Sequence, residues 1–268
     1  MRQFIIITIL FLLSTQAVAY NPSWTRTDKK LITALIGLNK YNPKEIAQFF
    51  IDRKGNKNDL EQENLGFGWS MRTYRIGGGY ISIHATFFYY KDSLVSYSLM
   101  PQMPDKKGLV KRYKKWYGNY FQYSNGEILP FEFNKAATLQ PLKEYKGSWP
   151  ATSDKILHYM SPNSGTMYGY SGGGIIMQNR KTFLEIKDSL TNEQVILLMY
   201  SINPASRLTA IEYYLKNNAR FARKEFIDKW IEENFIELPE IDTMYGCFRQ
   251  TVETRSLFYP YLLSGPRY

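Results

Sequence analysis

The chain has 268 residues and carries 34 Lys and Arg against 24 Asp and Glu, a formal net charge of +10. That length suits one large domain or two small ones, and the basic excess favours anionic neighbours such as lipid headgroups or acidic glycans. Cys247 stands alone and so excludes an intrachain disulfide; the two histidines lie far apart with no paired ligand spacing, so neither a metal nor a cofactor is expected.

Residues 1–19 have the pattern of an export signal. Arg2 gives a positive start, Phe4 to Leu13 an apolar run broken only by Thr8, and Ala17-Val18-Ala19 a cleavage site. The run is shorter than the roughly 20 apolar residues of a spanning helix, and no second run follows it. The expected product begins at Tyr20, is periplasmic or extracellular, and has no transmembrane segment after cleavage. No cysteine at the cleavage point suggests a lipoprotein anchor.

Thr27 is expected to cap a helix carrying Asp28, Leu31, Ile32, Leu35 and Ile36. Asn42-Pro43 should open a second with Ile46, Phe49 and Phe50, because a proline at the first helical position gives up an N–H that has no partner anyway. The polar stretch Asp52 to Glu63 has the outline of a calcium loop in Asp52, Asn56, Asn58 and Asp59. Gly55 is off the required position, however, and Lys54 and Lys57 stand where ligands belong, so a solvated loop is predicted.

Three strands should follow. Leu65, Phe67, Trp69 and Met71 alternate with Gly66, Gly68, Ser70 and Arg72, the period of a half-buried strand. Gly77-Gly78-Gly79 reads as a hairpin turn; no Lys-Ser/Thr follows to make it a phosphate loop. Ile81, Ile83, Ala85, Phe87 and Tyr89 then point one way, and Lys91-Asp92-Ser93 turns the chain into Val95, Tyr97 and Leu99. An antiparallel meander with two helices packed on it is the predicted arrangement.

Pro101 and Pro104 end the sheet, and Lys106 to Phe121 is predicted as a basic amphipathic helix. Leu109, Val110, Tyr113, Trp116 and Tyr117 form its apolar stripe, and Lys107, Lys111, Arg112, Lys114 and Lys115 cover the rest. Helices of this kind dock on anionic surfaces, and those five residues are the candidate binding site. The same pattern also suits a solvated exterior on a packed helix. Asn125-Gly126 marks a turn, and a boundary is expected near Gly147 to Thr152, dividing an α+β domain at 20–150 from a mainly helical one at 151–268.

In the second part, Gly169-Tyr170-Ser171-Gly172-Gly173 matches the nucleophile elbow G-x-S-x-G. Catalysis at Ser171 would need a histidine base oriented by an acid, and in that fold the histidine follows the serine; here His84 and His158 both precede it. GYSGG also resembles the GDSGG run of chymotrypsin-like proteases, with Tyr170 in place of Asp. A flexible turn before Ile175, Ile176 and Met177 is the plainer reading. His158 is expected to be half-buried and structural, and Cys247 a small buried hydrophobe.

Thr191 with Gln194 forms a capping-box pattern, and Val195, Leu197, Leu198, Tyr200 and Ile202 supply an apolar side. Asn203-Pro204 opens the next helix, in which Leu208, Ile211, Tyr214 and Leu215 form one buried stripe. The run LMYSINPASRLTAIEYYL, with Asn-Pro in the turn and Arg207 and Ala210 in the second helix, resembles a HEAT-type repeat. It is also similar to a HEAT-like segment in exported proteins of unknown function from Bacteroidetes-type bacteria. The resemblance covers about thirty residues in one copy and implies a helical pair but no activity. Ala219 to Asn234 should form a further helix, with Phe226, Ile227, Trp230 and Ile231 inward, stopped by Pro239.

The predicted fold class is α+β, with an αα-βββ-α first half and a mainly helical second half. Two function classes follow: a non-catalytic binding or scaffold protein of the cell envelope, or a serine hydrolase built on Ser171. The missing histidine after Ser171 favours the first. The expected partner is an envelope protein or an anionic surface, and not nucleic acid.

Overall fold

The computed structural model describes residues 21–53, 60–104, 106–118, 120–124, 127–169, 176–217, 221, 225–245 and 248–262. The export signal, residues 54–59 of the calcium-like stretch, Asn125-Gly126, Ser171 with most of its motif, and Cys247 lie outside the described residues.

The protein is mixed α and β, with helices first, then an antiparallel sheet of five strands, then a mainly helical C-terminal half. Helix α1 spans Pro22–Ile36 and α2 Pro43–Asp52. Strands β1 Leu60–Gly66, β2 Trp69–Gly77, β3 Ser82–Tyr90 and β4 Ser93–Gln102 follow, then helix α3 Lys107–Tyr117. Short strands β5 Tyr123–Ser124 and β6 Glu127–Ile128 pair with each other, and β7 Phe131–Phe133 completes the sheet in the order β1-β2-β3-β4-β7. The second half holds α4 Asp154–Met160, α5 Gln178–Ile186, α6 Asn192–Leu198, α7 Pro204–Lys216, α8 Glu225–Glu237, the hairpin β8 Glu240–Tyr245 with β9 Phe248–Glu253, and α9 Tyr259–Leu262.

The chain forms two compact units, and the division falls inside β2, β3 and β4. Unit 1 takes Met1–Asp59, Tyr74–Ala85 and Leu99–Phe131; unit 2 takes Leu60–Thr73, Thr86–Ser98 and Glu132–Tyr268. The core of unit 1 joins Ile32 and Leu35 of α1, Ile46 and Phe50 of α2, Ile81 just before β3, Ile83 and Leu99 of the sheet, and Leu109, Tyr113 and Tyr117 of α3. In unit 2, Leu65, Trp69, Met71 and Phe88 from the strands share one apolar cluster with Leu197, Leu208, Ile211, Trp230 and Phe235 from the helices.

Several boundaries differ from those expected. Helix α1 begins at Pro22 rather than at Thr27, because Asn21-Pro22 is itself a cap followed by a first-turn proline; the Asn21 side chain accepts from the Ser23 N–H at 3.0 Å. The alternating run from Leu65 to Arg72 is not one strand. Gly66, Phe67 and Gly68 have φ of 80°, 54° and 76°, and the chain folds back there into the β1–β2 hairpin. Two-residue hairpin loops favour this left-handed backbone, which glycine takes without strain. Hairpin β8–β9 was not expected in the helical half, although Ile241 and Thr243 are buried in alternation with half-buried Asp242 and Met244.

The paired helices α6 and α7 form where expected. Thr191 and Gln194 make both bonds of the capping box, at 3.2 and 2.9 Å, and Asn203 caps α7 through the Ala205 and Ser206 N–H groups. Helix α7 does not bury one stripe, however: Pro204 to Glu212 are buried on every side. Small and hydroxyl residues, Ala205, Ser206, Thr209 and Ala210, let neighbours approach its whole circumference. In α8, Ile227, Trp230 and Ile231 are buried as expected, but Phe226 is 52% exposed. His158 is exposed rather than half-buried.

Candidate functional site

Unit 1 contains 16 Lys and Arg against six Asp and Glu, and therefore the whole of the chain's +10; unit 2 contains 18 of each. Helix α3 is the densest part of that charge and holds no acidic residue. Leu109, Tyr113 and Tyr117 are buried, which turns Lys107, Lys111, Arg112 and Lys115 to the exterior. Lys114 is half-buried, its ammonium 5.3 Å from the centre of the Tyr123 ring. Lys111, Arg112 and Lys115 line a groove of about 500 Å³ together with Gly108 and Trp116. Trp116 also lines an aromatic cleft of about 430 Å³ with Ile36, Tyr41 and Tyr120. At that cleft Lys40 donates to the Tyr120 carbonyl at 3.1 Å and lies 4.9 Å from the Phe131 ring centre. The structure therefore brings Lys111, Arg112 and Lys115 together, with Lys107 on the same helix.

The helix is held in place by a buried carboxylate. Asp28 of α1 is fully buried; its Oδ2 accepts from the Tyr80 N–H at 2.9 Å and from the Tyr113 hydroxyl of α3. Its Oδ1 has no hydrogen-bond partner among the described residues. Burial, then Tyr123 and the charge of Asp28, push the Tyr117 phenol well above its ordinary value. Because Asp28 is the only acidic residue of α1 and is turned inward, the outward side of α1 is basic as well, through Arg26, Lys29 and Lys30.

Helix α1 also rests directly on the Gly77–Gly79 turn. A Cβ built on Gly78 would lie 2.3 Å from Asp28 Oδ1, and one on Gly79 would lie 2.5 Å from Trp24 Cβ. The glycines provide close approach for α1 as well as a turn, a role that the three-glycine pattern does not reveal.

Unit 2 offers a polar depression of about 300 Å³ with Glu63 and Asp242 in its lining. Arg249 binds both, at 2.7 and 2.6 Å, and reaches Glu61 at 3.1 Å. The other oxygens of Glu63 and Asp242 accept from Thr166 and Thr251. Burial acts to lower the Arg249 pKa, but hydrogen bonding to Asp242 and the charges of Asp242 and Glu63 outweigh it and raise it. Both carboxylates, Glu63 and Asp242, are thus engaged by Arg249 and a threonine, while Glu240 also lines the depression.

His84 Nε2 lies 3.5 Å from Ser82 Oγ, and His158 is exposed. Among the described residues, no three His, Cys, Asp or Glu side chains are grouped so as to hold a metal ion, and no helix is long and apolar enough to cross a membrane. No family model, curated protein or solved structure matches the chain.

Proposed function

We propose that the protein is a non-catalytic binding protein of the cell envelope that attaches to an anionic lipid surface through unit 1. The observation that supports this reading is the placement of the entire net charge in unit 1, concentrated on a helix without acidic residues. Lys107, Lys111, Arg112, Lys114 and Lys115 supply the attraction, and Trp116 beside them suits the headgroup level of a bilayer. The neutral unit 2, with its HEAT-like pair α6 and α7, would be the scaffold that such an attachment presents. Export through residues 1–19 belongs to the same reading. The alternative is a serine hydrolase built on Ser171, which lies outside the described residues.

Each basic group near an anionic membrane contributes about 1 kcal/mol, within a Debye length of the surface. Replacing Lys111, Arg112, Lys114 and Lys115 by Gln should therefore remove most co-sedimentation with phosphatidylglycerol vesicles at low salt and change little at high salt. The fold should persist, because Leu109, Tyr113 and Tyr117 are untouched. Equal binding by both proteins at low salt, or by neither, would overturn the reading. Intact mass of protein recovered from the envelope reports on export; a mass retaining residues 1–19 would refute the cleavage.

A further inference from the structure

Unit 1 carries a second basic feature, on the side of α1 that faces the Gly77–Gly79 turn. Two grooves of about 470 and 510 Å³ share Arg75, Gly77 and Gly78. Each is within the range of small-molecule sites, roughly 300–1,000 Å³. Lys30 of α1 and Arg53 at the end of α2 join Arg75 of β2 in the first, over an apolar floor of Leu31 and Ala34. Trp24 flanks the second. Among the described residues no Asp or Glu lines either groove, and the carboxylate of α1, Asp28, is buried and engaged by Tyr80 and Tyr113.

Arg75 lines both grooves, with Lys30 and Arg53 in one and Trp24 in the other. The Arg53 guanidinium carbon lies 4.0 Å from the centre of the Phe49 ring, a cation–π contact, and Arg53 is exposed to solvent. Trp24 is 48% exposed, yet its position is fixed: its ring meets Tyr80 edge-on at 5.1 Å and its Cβ sits against Gly79. Three cations from three elements would repel one another without a shared counter-charge. A simple anion would satisfy them but would leave the Trp24 face and the apolar floor unused. A chain of sugar rings bearing carboxylate or sulfate groups uses all of these, with its anionic groups on the forks and its C–H faces on the indole.

We propose that these two adjoining grooves together bind an acidic oligosaccharide, with Lys30, Arg53 and Arg75 taking its anionic groups and Trp24 a sugar ring. The proposal rests on the reading of unit 1 as an anion-binding unit but uses side chains separate from the α3 face. Calorimetric titration of the full chain with tetragalacturonate and with a heparin tetrasaccharide tests it, with the methyl ester of tetragalacturonate and inorganic sulfate as controls. At least one of the two acidic oligosaccharides should bind at least about tenfold tighter than both controls, one charge-assisted contact being worth about that factor. Arg53→Gln and Arg75→Gln should each weaken this binding about tenfold, and Trp24→Ala should weaken it with no change of charge. The four-Gln variant of α3 should bind as the wild type does. Circular dichroism checks that each variant is folded, and the two surface arginine variants keep the test decisive if Trp24→Ala is not. Binding of neither oligosaccharide overturns the proposal. So does binding lost in the α3 variant but kept in the arginine variants, which would leave the vesicle result standing by itself. Sulfate binding as tightly as both oligosaccharides also overturns it.

Discussion

Gly77, Gly78 and Gly79 look interchangeable in the sequence, but their surroundings differ. A Cβ at Gly77 meets only the Ile81 carbonyl, at 3.7 Å, whereas one at Gly79 meets Trp24 Cβ at 2.5 Å and Trp24 Cα at 2.8 Å. Gly79→Ala should therefore cost about 1–3 kcal/mol as α1 is pushed off the turn. Gly77→Ala should be neutral or stabilising by up to about 1 kcal/mol, because it removes freedom from the unfolded chain. Urea unfolding of the two variants checks this, and equal losses would show that the glycines serve the turn conformation alone. The turn itself was legible in the sequence; the close packing of Trp24 and Asp28 on it was not, since that depends on residues some fifty positions away. Phe67 teaches a similar lesson. Its alternation with Leu65 and Trp69 reads as strand, yet its φ of 54° places it in a loop, stacked on Trp230 with ring centres 4.8 Å apart.

At the level of elements, Arg207 ties the α6–α7 turn to its surroundings within unit 2. It is fully buried, and its Nη1 donates to the Ser201 and Ile202 carbonyls at 2.7 and 3.3 Å, its Nη2 to the Leu65 carbonyl at 2.8 Å, and its Nε to Asn234 Oδ1 at 2.5 Å. Burial pushes its pKa down to about 9, while Glu144 and Glu237 act the other way. Arg207→Met should cost at least about 3 kcal/mol, because several buried acceptors then lose their donor. Arg207→Lys should recover part of that loss, and a Met variant as stable as wild type by urea unfolding would sink the account. The helical pair, its capping box and its Asn-Pro turn were readable because caps are local signals. The full burial of α7 was not, because Ser206, Thr209 and Glu212 resemble an exterior until their neighbours are known. Of the candidate site, the basic face of α3 could be read directly from Lys and Arg spacing against Leu109 and Tyr113. The groove built from Lys30, Arg53 and Arg75 could not, since three separate elements compose it.

Across the whole molecule, buried phenols set the response to alkali. Burial is the largest influence raising Tyr117, Tyr120, Tyr159 and Tyr168 well above the ordinary tyrosine value, and it pushes Tyr200 up to about 12, with Glu233, Tyr145 and Glu144 adding to it. A raised folded pKa favours the folded state while the group is protonated. That contribution is complete below about pH 10, where unfolded tyrosines are still neutral, and is lost as pH climbs through the folded values. Stability should therefore fall steeply above pH 10, with a late, cooperative rise in tyrosinate absorbance at unfolding. Gradual ionisation of every tyrosine near pH 10 without loss of structure would contradict this. The α+β class and the helix-then-strand order were legible from period and caps. The two interleaved units were not, because a division inside β2, β3 and β4 leaves no change of composition at any one point of the chain.

That division also sets an order in time. Unit 1 has all its residues once Phe131 has been synthesised. By then Leu65, Trp69, Met71 and Phe88 are also present, but the cluster that covers them needs Leu197, Leu208 and Trp230, which come later. The nascent chain thus carries one unit able to close while apolar strand residues of the other still wait for their partners. Until Leu197, Leu208 and Trp230 arrive, those side chains are exposed apolar surface, the kind that promotes aggregation of incomplete chains.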